Sequence, residues 1–174
     1  RVVSHAQIIG RLLDRLDDLG VTDNTLVAFT YDHGGRHLVS SAPLFHGFGT
    51  LWEGGIRVPL LMRWPGHFDE GSNVSRPTIA MDLTASLLEA AGRDVSTLNL
   101  DGRSLLPLMS EGSEVEAQAL FWRTPQMRAV RQGRWKYVVD RGTQMLFDLE
   151  SDVAERSNVF ASRPEVASQL REAL

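Results

Sequence analysis

Apolar residues near the start of the chain recur every three or four positions, which is the spacing of one face of a helix. This stripe comprises Ile8, Ile9, Leu12, Leu13, Leu16 and Leu19. Gly20 suits the left-handed residue that commonly ends a helix. Residues 25–30 show no alternation of apolar and polar side chains, which predicts a short strand buried on both faces. A helix, a tight turn and a buried strand in this order indicate an α/β fold with a mostly parallel sheet.

Further along the chain the pattern first continues and then changes. Residues 58–63 predict a second strand, and residues 81–91 predict a helix whose inward side chains are Leu83, Leu87, Leu88 and Ala91. After about residue 115, short strand-like segments alternate with turn-forming pairs, at 120–122, 127–131, 135–139 and 145–148. Strands spaced so closely predict an antiparallel meander, and Pro164 then opens a terminal helix.

This change predicts two structural parts, an α/β part over residues 1–112 and a small antiparallel subdomain with a terminal helix over residues 115–174.

A net charge of −4, from 18 basic and 22 acidic side chains, makes nucleic acid a poor candidate partner. The absence of cysteine excludes a disulfide or a thiolate within these residues. The apolar runs are far shorter than the ~20 residues that span a bilayer. Because the sequence begins at Arg1, we expect it to be part of a longer or processed protein.

A glycine-rich loop, residues 31–59, follows the first predicted strand. It holds six of the fifteen glycines and three of the five histidines. Open α/β sheets bind ligands at the carboxyl ends of their strands, so this loop is the first candidate site. His37 and His46 taken singly are more typical of surface or structural histidines, but their common loop adds to the case for function.

The sharpest feature of the loop is the sequence Asp32-His33-Gly34-Gly35. A carboxylate and an imidazole form a usable half-site for a divalent ion, and the two glycines would let the backbone bend closely around a ligand. His33 could alternatively hold an anionic substrate. The simplest alternative is a turn with a capping aspartate and a surface histidine.

Residues 52–59, Trp-Glu-Gly-Gly-Ile-Arg-Val-Pro, are unusual for a loop, because opposite charges flank two glycines before an apolar strand. Glu53 and Arg57 can pair with each other or bind backbone groups. We therefore expect this block to hold the loop rigid behind the site rather than to take part in chemistry.

The chain as a whole resembles type I sulfatases of the alkaline phosphatase superfamily. The segments that carry the resemblance occur in the family's order, at 23–27, 32–35, 52–59, 63–66, 82–83, 101–105 and 146–149, followed by Glu155 and Asn158. The sequence Glu-Gly-Gly-Ile-Arg-Val-Pro is highly specific for this family, whereas Asp-His-Gly alone would be weak evidence for it. The match is to the C-terminal portion of such an enzyme, so residues 1–112 would complete an alkaline-phosphatase-like catalytic domain.

The resemblance implies hydrolysis of sulfate esters by a formylglycine nucleophile, with a divalent metal that is usually calcium and otherwise magnesium or manganese. It identifies Asp32 and His33 as two of the metal ligands, with the other ligands expected upstream. The implied substrates are sulfated small molecules or glycans. Members of the family are commonly periplasmic, secreted or lysosomal.

Two positions depart from the family's pattern. Ser41-Ala42-Pro43 is nearest to the nucleophile motif Cys/Ser-x-Pro-x-Arg, but Phe45 stands where the arginine is required. We therefore expect the catalytic nucleophile upstream and the 174 residues alone to be inactive. Phe48 stands where the family usually has a lysine that binds sulfate, and His46 is the candidate substrate-binding replacement.

Two further functions stay open. A phosphodiesterase or phosphonate monoester hydrolase of the same superfamily would also use Asp32 and His33 as metal ligands. A non-catalytic relative that only binds a sulfated or phosphorylated ligand would account for Phe48. Residues 53–59 favour the sulfatase, and the motif found upstream would separate all three.

Overall fold

The computed structural model describes residues 2–36, 39–109 and 118–174. Its α-helices are α1 (Val2–Asp18), α2 (Glu53–Ile56), α3 (Ala80–Ala90) and α4 (Pro164–Ala173). Its strands are β1 (Val27–Thr30), β2 (Leu60–Arg63), β3 (Leu120–Arg123), β4 (Met127–Gln132), β5 (Trp135–Asp140) and β6 (Thr143–Asp148). The strands and the helices α1, α3 and α4 lie where the sequence predicts them, whereas the short helix α2 was not predicted.

The chain divides into two compact units. The first contains the described residues of Arg1–Phe29, Leu60–Ser75 and Ala80–Val115, and the second contains those of Thr30–Pro59, Arg76–Ile79 and Glu116–Leu174. The glycine-rich loop therefore belongs to the same unit as the meander. The predicted boundary between residues 112 and 115 falls outside the described residues and stays a prediction. Within the described ranges, every helix is too short or too polar to cross a bilayer.

In the first unit, β1 and β2 form a two-stranded sheet. The prediction that β1 is buried on both faces is wrong, because Ala28 and Thr30 are exposed. The apolar stripe of α1 is also open to solvent, since Ile8 is 63% exposed and Leu12 is 53% exposed. Two short strands have too little surface to cover their own faces, so this unit buries few apolar side chains.

Helix α3 packs through polar side chains. Its predicted inward face is wrong at Leu87, which is 46% exposed, and at Ala91, which is also exposed, whereas Asp82 and Ser86 are buried. The Ser86 hydroxyl accepts the backbone N–H of Leu105 at 2.8 Å, and the Asp82 carboxylate accepts that of Arg103 at 2.9 Å. These bonds satisfy backbone groups of the following segment, so hydrogen bonds from α3 supplement the apolar burial of Ala85, which is 1% exposed.

The second unit is built on an antiparallel sheet of order β3–β4–β5–β6, as the spacing of its strands predicts. One face of the sheet packs against Leu51 and Trp52 of the glycine-rich loop. The other face packs against Ala167 and Leu170 of α4, so the predicted terminal helix covers the sheet. Both faces are therefore buried, and the loop is held against one of them.

Candidate functional site

Asp32 and His33 lie just after the end of β1. Asp32 Oδ1 accepts the backbone N–H of His33 at 3.1 Å, and Oδ2 lies 3.3 Å from His33 Nε2. His33 Nδ1 lies 2.8 Å from the carbonyl oxygen of Gly34. With Nδ1 donating to that carbonyl, neutral His33 has its lone pair on Nε2, the atom beside the carboxylate. The Asp32 side chain is 83% exposed and that of His33 is 33% exposed, so both are accessible to a ligand.

The two glycine pairs of the loop pack against each other. The N–H of Gly34 donates to the carbonyl oxygen of Gly55 at 2.9 Å. A Cβ added to Gly34 would lie 1.8 Å from the carbonyl oxygen of Gly54. This distance is far too short for a carbon atom and an oxygen atom that are not bonded, so only glycine fits at this position. We expected the glycines after His33 to bend the backbone around a ligand. The structure uses Gly34 instead for a close approach of the Asp32–His33 turn to α2.

Phe48 lies beside the proposed metal ligand His33. The ring centroids of the two residues are 4.2 Å apart, and the N–H of Phe48 donates to the carbonyl oxygen of Gly35 at 2.9 Å. The guanidinium carbon of Arg36 lies 4.9 Å from the centroid of the Phe48 ring, a cation–π arrangement. At position 48, where the sulfatase resemblance implies a lysine, the chain therefore has an aromatic ring with the guanidinium group of Arg36 above its face.

His46, the candidate substrate-binding residue, contacts other aromatic rings. Its centroid lies 4.2 Å from that of Phe45 and 5.8 Å from that of Trp52. Its backbone is left-handed, with φ of 56°, and it is exposed. These contacts do not test the substrate-binding role, which stays a prediction. His37 lies outside the described residues.

Glu53, in α2, is 1% exposed and is bound by partners from distant parts of the sequence. Its Oε1 lies 2.9 Å from Lys136 Nζ in β5, and the same ammonium group lies 2.8 Å from Glu155 Oε1. Glu155 Oε2 also accepts the backbone N–H of Glu53 at 2.6 Å. Arg57 and Arg131 approach Glu53 Oε2 at 3.6 and 3.4 Å. The predicted pairing of Glu53 with Arg57 is confirmed. Lys136 has no signal in the sequence, and the resemblance points to Glu155 without indicating that it binds Glu53.

Burial sets the electrostatics of this ion-pair cluster, which comprises Glu53, Arg57, Arg131, Lys136 and Glu155. Removal from water raises the pKa of Glu155, while the charge of Lys136 opposes that rise. Burial likewise lowers the pKa of Arg131, and the charge of Glu53 opposes the change. Glu155 also has a left-handed backbone with φ of 52°, and its N–H donates to the carbonyl oxygen of Asp152 at 3.1 Å. The cluster therefore depends on every partner being present.

The described residues include no group of three or more histidine, aspartate or glutamate side chains placed to hold a metal ion. Asp32 and His33 supply one carboxylate and one imidazole, both exposed. Calcium takes six to eight oxygen ligands in general, and magnesium demands near-octahedral oxygen coordination. The pair therefore fits such an ion only as part of a larger ligand set.

Comparison with known proteins agrees with these observations. The family model described as Sulfatase matches residues 5–93, just over half of the chain. Steryl-sulfatase of Mus musculus is 38% identical in an alignment 136 positions long, gaps included, that covers 71% of this chain and 22% of that protein. Arylsulfatase A of Bos taurus is 30% identical in an alignment 200 positions long, gaps included, that covers 95% of this chain and 39% of that protein. The chain belongs to the sulfatase family.

The solved structures give the same result for the fold. Ps i-CgsB matches with a TM-score of 0.85 at 30% identity, over 95% of this chain and 39% of that chain. The predicted fold class is confirmed: an α/β part of alkaline-phosphatase-like fold precedes a small antiparallel part with a terminal helix. The chain spans two fifths or less of the length of each of these relatives.

Proposed function

We propose that the protein hydrolyses sulfate esters and that Asp32 and His33 are two ligands of its divalent metal ion. The observation that supports this proposal is the exposed carboxylate and imidazole just after β1, in a chain of the sulfatase family. A bound divalent cation, calcium in the first place and magnesium or manganese as alternatives, would supply polarisation of the sulfate oxygens. The formylglycine nucleophile and the remaining ligands are proposed to lie upstream of this chain.

The ion-pair cluster positions the proposed ligands. Gly34 is bonded to Gly55 in α2, and α2 also contains the buried Glu53. Lys136, in β5, and Glu155 both bind Glu53 and so hold α2 against the sheet. Since Gly34 is hydrogen-bonded to α2, the backbone next to His33 is connected to the sheet through these contacts. Metal-binding side chains must be held within about 0.5 Å of the geometry in which they bind the ion. We propose that the ion-pair cluster restricts the movement of Asp32 and His33 to this extent.

A sulfate group needs positive charge or hydrogen-bond donors around its oxygens. Arg36 is placed to supply that charge, since its guanidinium lies over Phe48 and Phe48 contacts His33. We assign it the role that a lysine at position 48 would otherwise have. His46 remains the second candidate for contact with the substrate.

The substrate class that we propose is a sulfated sugar or another small sulfate ester. Ps i-CgsB was crystallised in complex with k-i-k-neocarrahexaose, and the curated relatives are named for steryl and aryl sulfates. These names belong to the relatives and support the class of compound rather than one substrate.

The proposal is tested by assaying the full-length protein, including its upstream segment, with an aryl sulfate and added calcium, magnesium or manganese. We expect metal-dependent turnover that falls by at least about 100-fold in Asp32→Ala, because a metal ligand is lost. Asp69→Ala, a matched change at another exposed aspartate, is expected to retain turnover. No hydrolysis by the full-length protein, or equal activity of the two variants, would contradict the proposal.

The same assay applied to the 174 residues alone tests the position of the nucleophile. We expect no hydrolysis, because the covalent step needs a nucleophile that these residues lack. Metal-dependent turnover by this chain that disappears in Asp32→Ala would show that it is self-sufficient.

Phe48 gives the remaining alternatives a specific basis, because an aromatic ring occupies the position of the sulfate-binding lysine. A bis-aryl phosphate assayed in parallel separates them. Faster hydrolysis of the phosphodiester would identify a phosphodiesterase, and binding of both compounds without hydrolysis would identify a non-catalytic relative.

A further inference from the structure

A cleft of about 640 Å³ lies at one end of the meander. It is formed by the β3–β4 turn, the β5–β6 turn and the adjoining strand ends, and three of its lining residues are Arg123, Arg128 and Arg141. We call it the arginine cleft. Its volume lies within the range of small-molecule sites, about 300–1,000 Å³. No residue of the Asp32–His33 turn lines it, so it is separate from the proposed metal site.

Two of the three arginines face each other across a strand pair. Arg123 in β3 and Arg128 in β4 are direct partners in the antiparallel register, and both are exposed. Like charges directly opposite each other on a sheet repel and destabilise the pair. Among the described residues, no carboxylate lies within ion-pair distance of Arg123, Arg128 or Arg141. Three arginines therefore stand at this end of the sheet without a direct ion pair to any described carboxylate, although Asp140 lies opposite Met127 in the register beside them.

The third arginine occupies a position that disfavours it. Arg141 and Gly142 form the two-residue turn between Asp140 and Thr143, and both have positive φ, 47° for Arg141 and 89° for Gly142. Turns of this kind strongly prefer asparagine, aspartate or glycine at the first position. Arginine there costs conformational energy, so its presence points to a use for its side chain.

The backbone around the arginines is well fixed. The N–H of Thr124 donates to the carbonyl oxygen of Met127 at 2.8 Å, and the N–H of Met127 donates to the Thr124 hydroxyl at 2.9 Å. The N–H of Arg141 donates to the carbonyl oxygen of Gln126 at 3.0 Å, which ties the two turns together. A cleft whose walls are bonded to each other loses little entropy when it binds a ligand.

We propose that the arginine cleft binds an oligosaccharide that carries two or more sulfate groups. Three guanidinium groups around one concave surface match several anionic groups on one ligand, and planar guanidinium groups bind oxyanions through paired hydrogen bonds. The choice of sulfate over phosphate rests on the proposed function. The cleft would then hold a distant part of the sulfated chain whose ester is hydrolysed at the metal site.

The test is isothermal titration calorimetry of the full-length protein carrying Asp32→Ala, so that the ligand is not hydrolysed. The probes are a heparin hexasaccharide, the same hexasaccharide after chemical desulfation, and tripolyphosphate. We expect the sulfated probe to bind and the desulfated probe to bind at least tenfold more weakly. The double variant Arg123→Gln/Arg128→Gln is expected to weaken binding of the sulfated probe by about 100-fold, because two charge-assisted contacts, each worth about tenfold, are lost.

Two further variants separate binding from folding. Arg141→Asn should weaken binding of the sulfated probe and raise the melting temperature, because asparagine suits the left-handed turn position. A variant that only damaged the fold would lower both the affinity for the sulfated probe and the melting temperature. Arg156→Gln removes one charge from another exposed arginine of the same unit and should leave the affinity within about twofold.

Three results would overturn the proposal: unchanged affinity in the double variant, an equal loss in Arg156→Gln, or tripolyphosphate binding as tightly as the sulfated hexasaccharide. Failure of the proposed function is a separate outcome. Suppose that the full-length protein hydrolyses no sulfate ester, but that the double variant loses binding of the hexasaccharide. This result would contradict the proposed hydrolase function and would still support binding at the arginine cleft.

Discussion

The ammonium group of Lys136 lies 2.9 Å from a carboxylate oxygen of Glu53, a residue 83 positions earlier in the sequence. Both side chains are almost completely buried, at 0% and 2% exposed. Removing the lysine would leave two buried carboxylates, those of Glu53 and Glu155, without their shared cation. We expect Lys136→Met to lower the free energy of unfolding by about 3–5 kcal/mol, measured by urea denaturation.

The control for this change is Arg15→Met on α1. Arg15 pairs with Asp18 at 3.9 Å, but the two side chains are 66% and 71% exposed. Exposed pairs are worth about 0–1 kcal/mol, so the loss should be small. If both variants lose the same stability, the ion-pair cluster does not hold the second unit together.

Acid should weaken the fold through Asp148. Its carboxylate accepts a bond from Arg134 Nε at 2.7 Å, and this bond is the main reason why its pKa is lowered from 3.8 to about 2. Because the folded pKa lies below the unfolded value, the stabilisation is present above about pH 4 and is lost as pH falls through about 2.

We expect this loss to be about 1 kcal/mol, since Arg134 is partly exposed and solvent weakens the pair. Urea denaturation between pH 5 and pH 2 should show wild type and Asp148→Asn converging as the pH falls. A difference between them that stays constant over this range would contradict the prediction.

Gly34→Ala should damage the fold of the loop. The added Cβ would lie 1.8 Å from the carbonyl oxygen of Gly54, so the Asp32–His33 turn must move away from α2. We expect a loss of at least about 2 kcal/mol in the free energy of unfolding, the upper part of the usual range for single mutations.

Gly10→Ala is the matched control for this glycine. Gly10 lies inside α1 and has open space where its Cβ would be. Alanine is favoured over glycine in a helix by about 1 kcal/mol, so this variant should gain stability. Equal losses in the two variants would mean that the contact with Gly54 has no structural importance.

Arg36→Gln should raise the KM of the full-length enzyme for a sulfate ester by about tenfold, because a charge-assisted contact with the substrate is lost. The arginine lies over Phe48, so the double variant Arg36→Gln/Phe48→Lys returns a cation to the same place. Steady-state kinetics should show partial recovery of KM in the double variant. A KM that stays at the wild-type value in Arg36→Gln would exclude the role assigned to this arginine.

The sequence pattern predicts local structure in this chain well and distant partners poorly. The spacing of 120–148 predicts an antiparallel meander because short strands and turns are local features. The pairing of Glu53 with Arg57 is equally local, four residues apart. Lys136 gives no such signal, since a lysine within a strand usually points to solvent and its two carboxylate partners are far away in the sequence.

Apolar periodicity also fails where polar packing replaces it. Leu87 has the spacing of a buried residue, but α3 packs through Asp82 and Ser86, which bond the backbone at Arg103 and Leu105. For the proposed metal site, the sequence analysis identifies Asp32 and His33 as a pair, and the structure places their side chains 3.3 Å apart. The cation on Phe48 was not predicted, because the relation of Arg36 to that ring depends on how the loop folds.

The position of Glu155 has a consequence for how the protein is made. Glu53 meets Lys136 through its carboxylate and Glu155 through its backbone N–H only after both partners have left the ribosome, and Glu155 is 102 residues later in the chain. The strands that Leu51 and Trp52 pack against end at Asp148, so the bond to Glu155 is the last part of this support to be added, and contacts between distant residues form late. A premature stop codon between positions 137 and 155 would therefore remove Glu155 from this support while leaving Asp32 and His33 in the translated product.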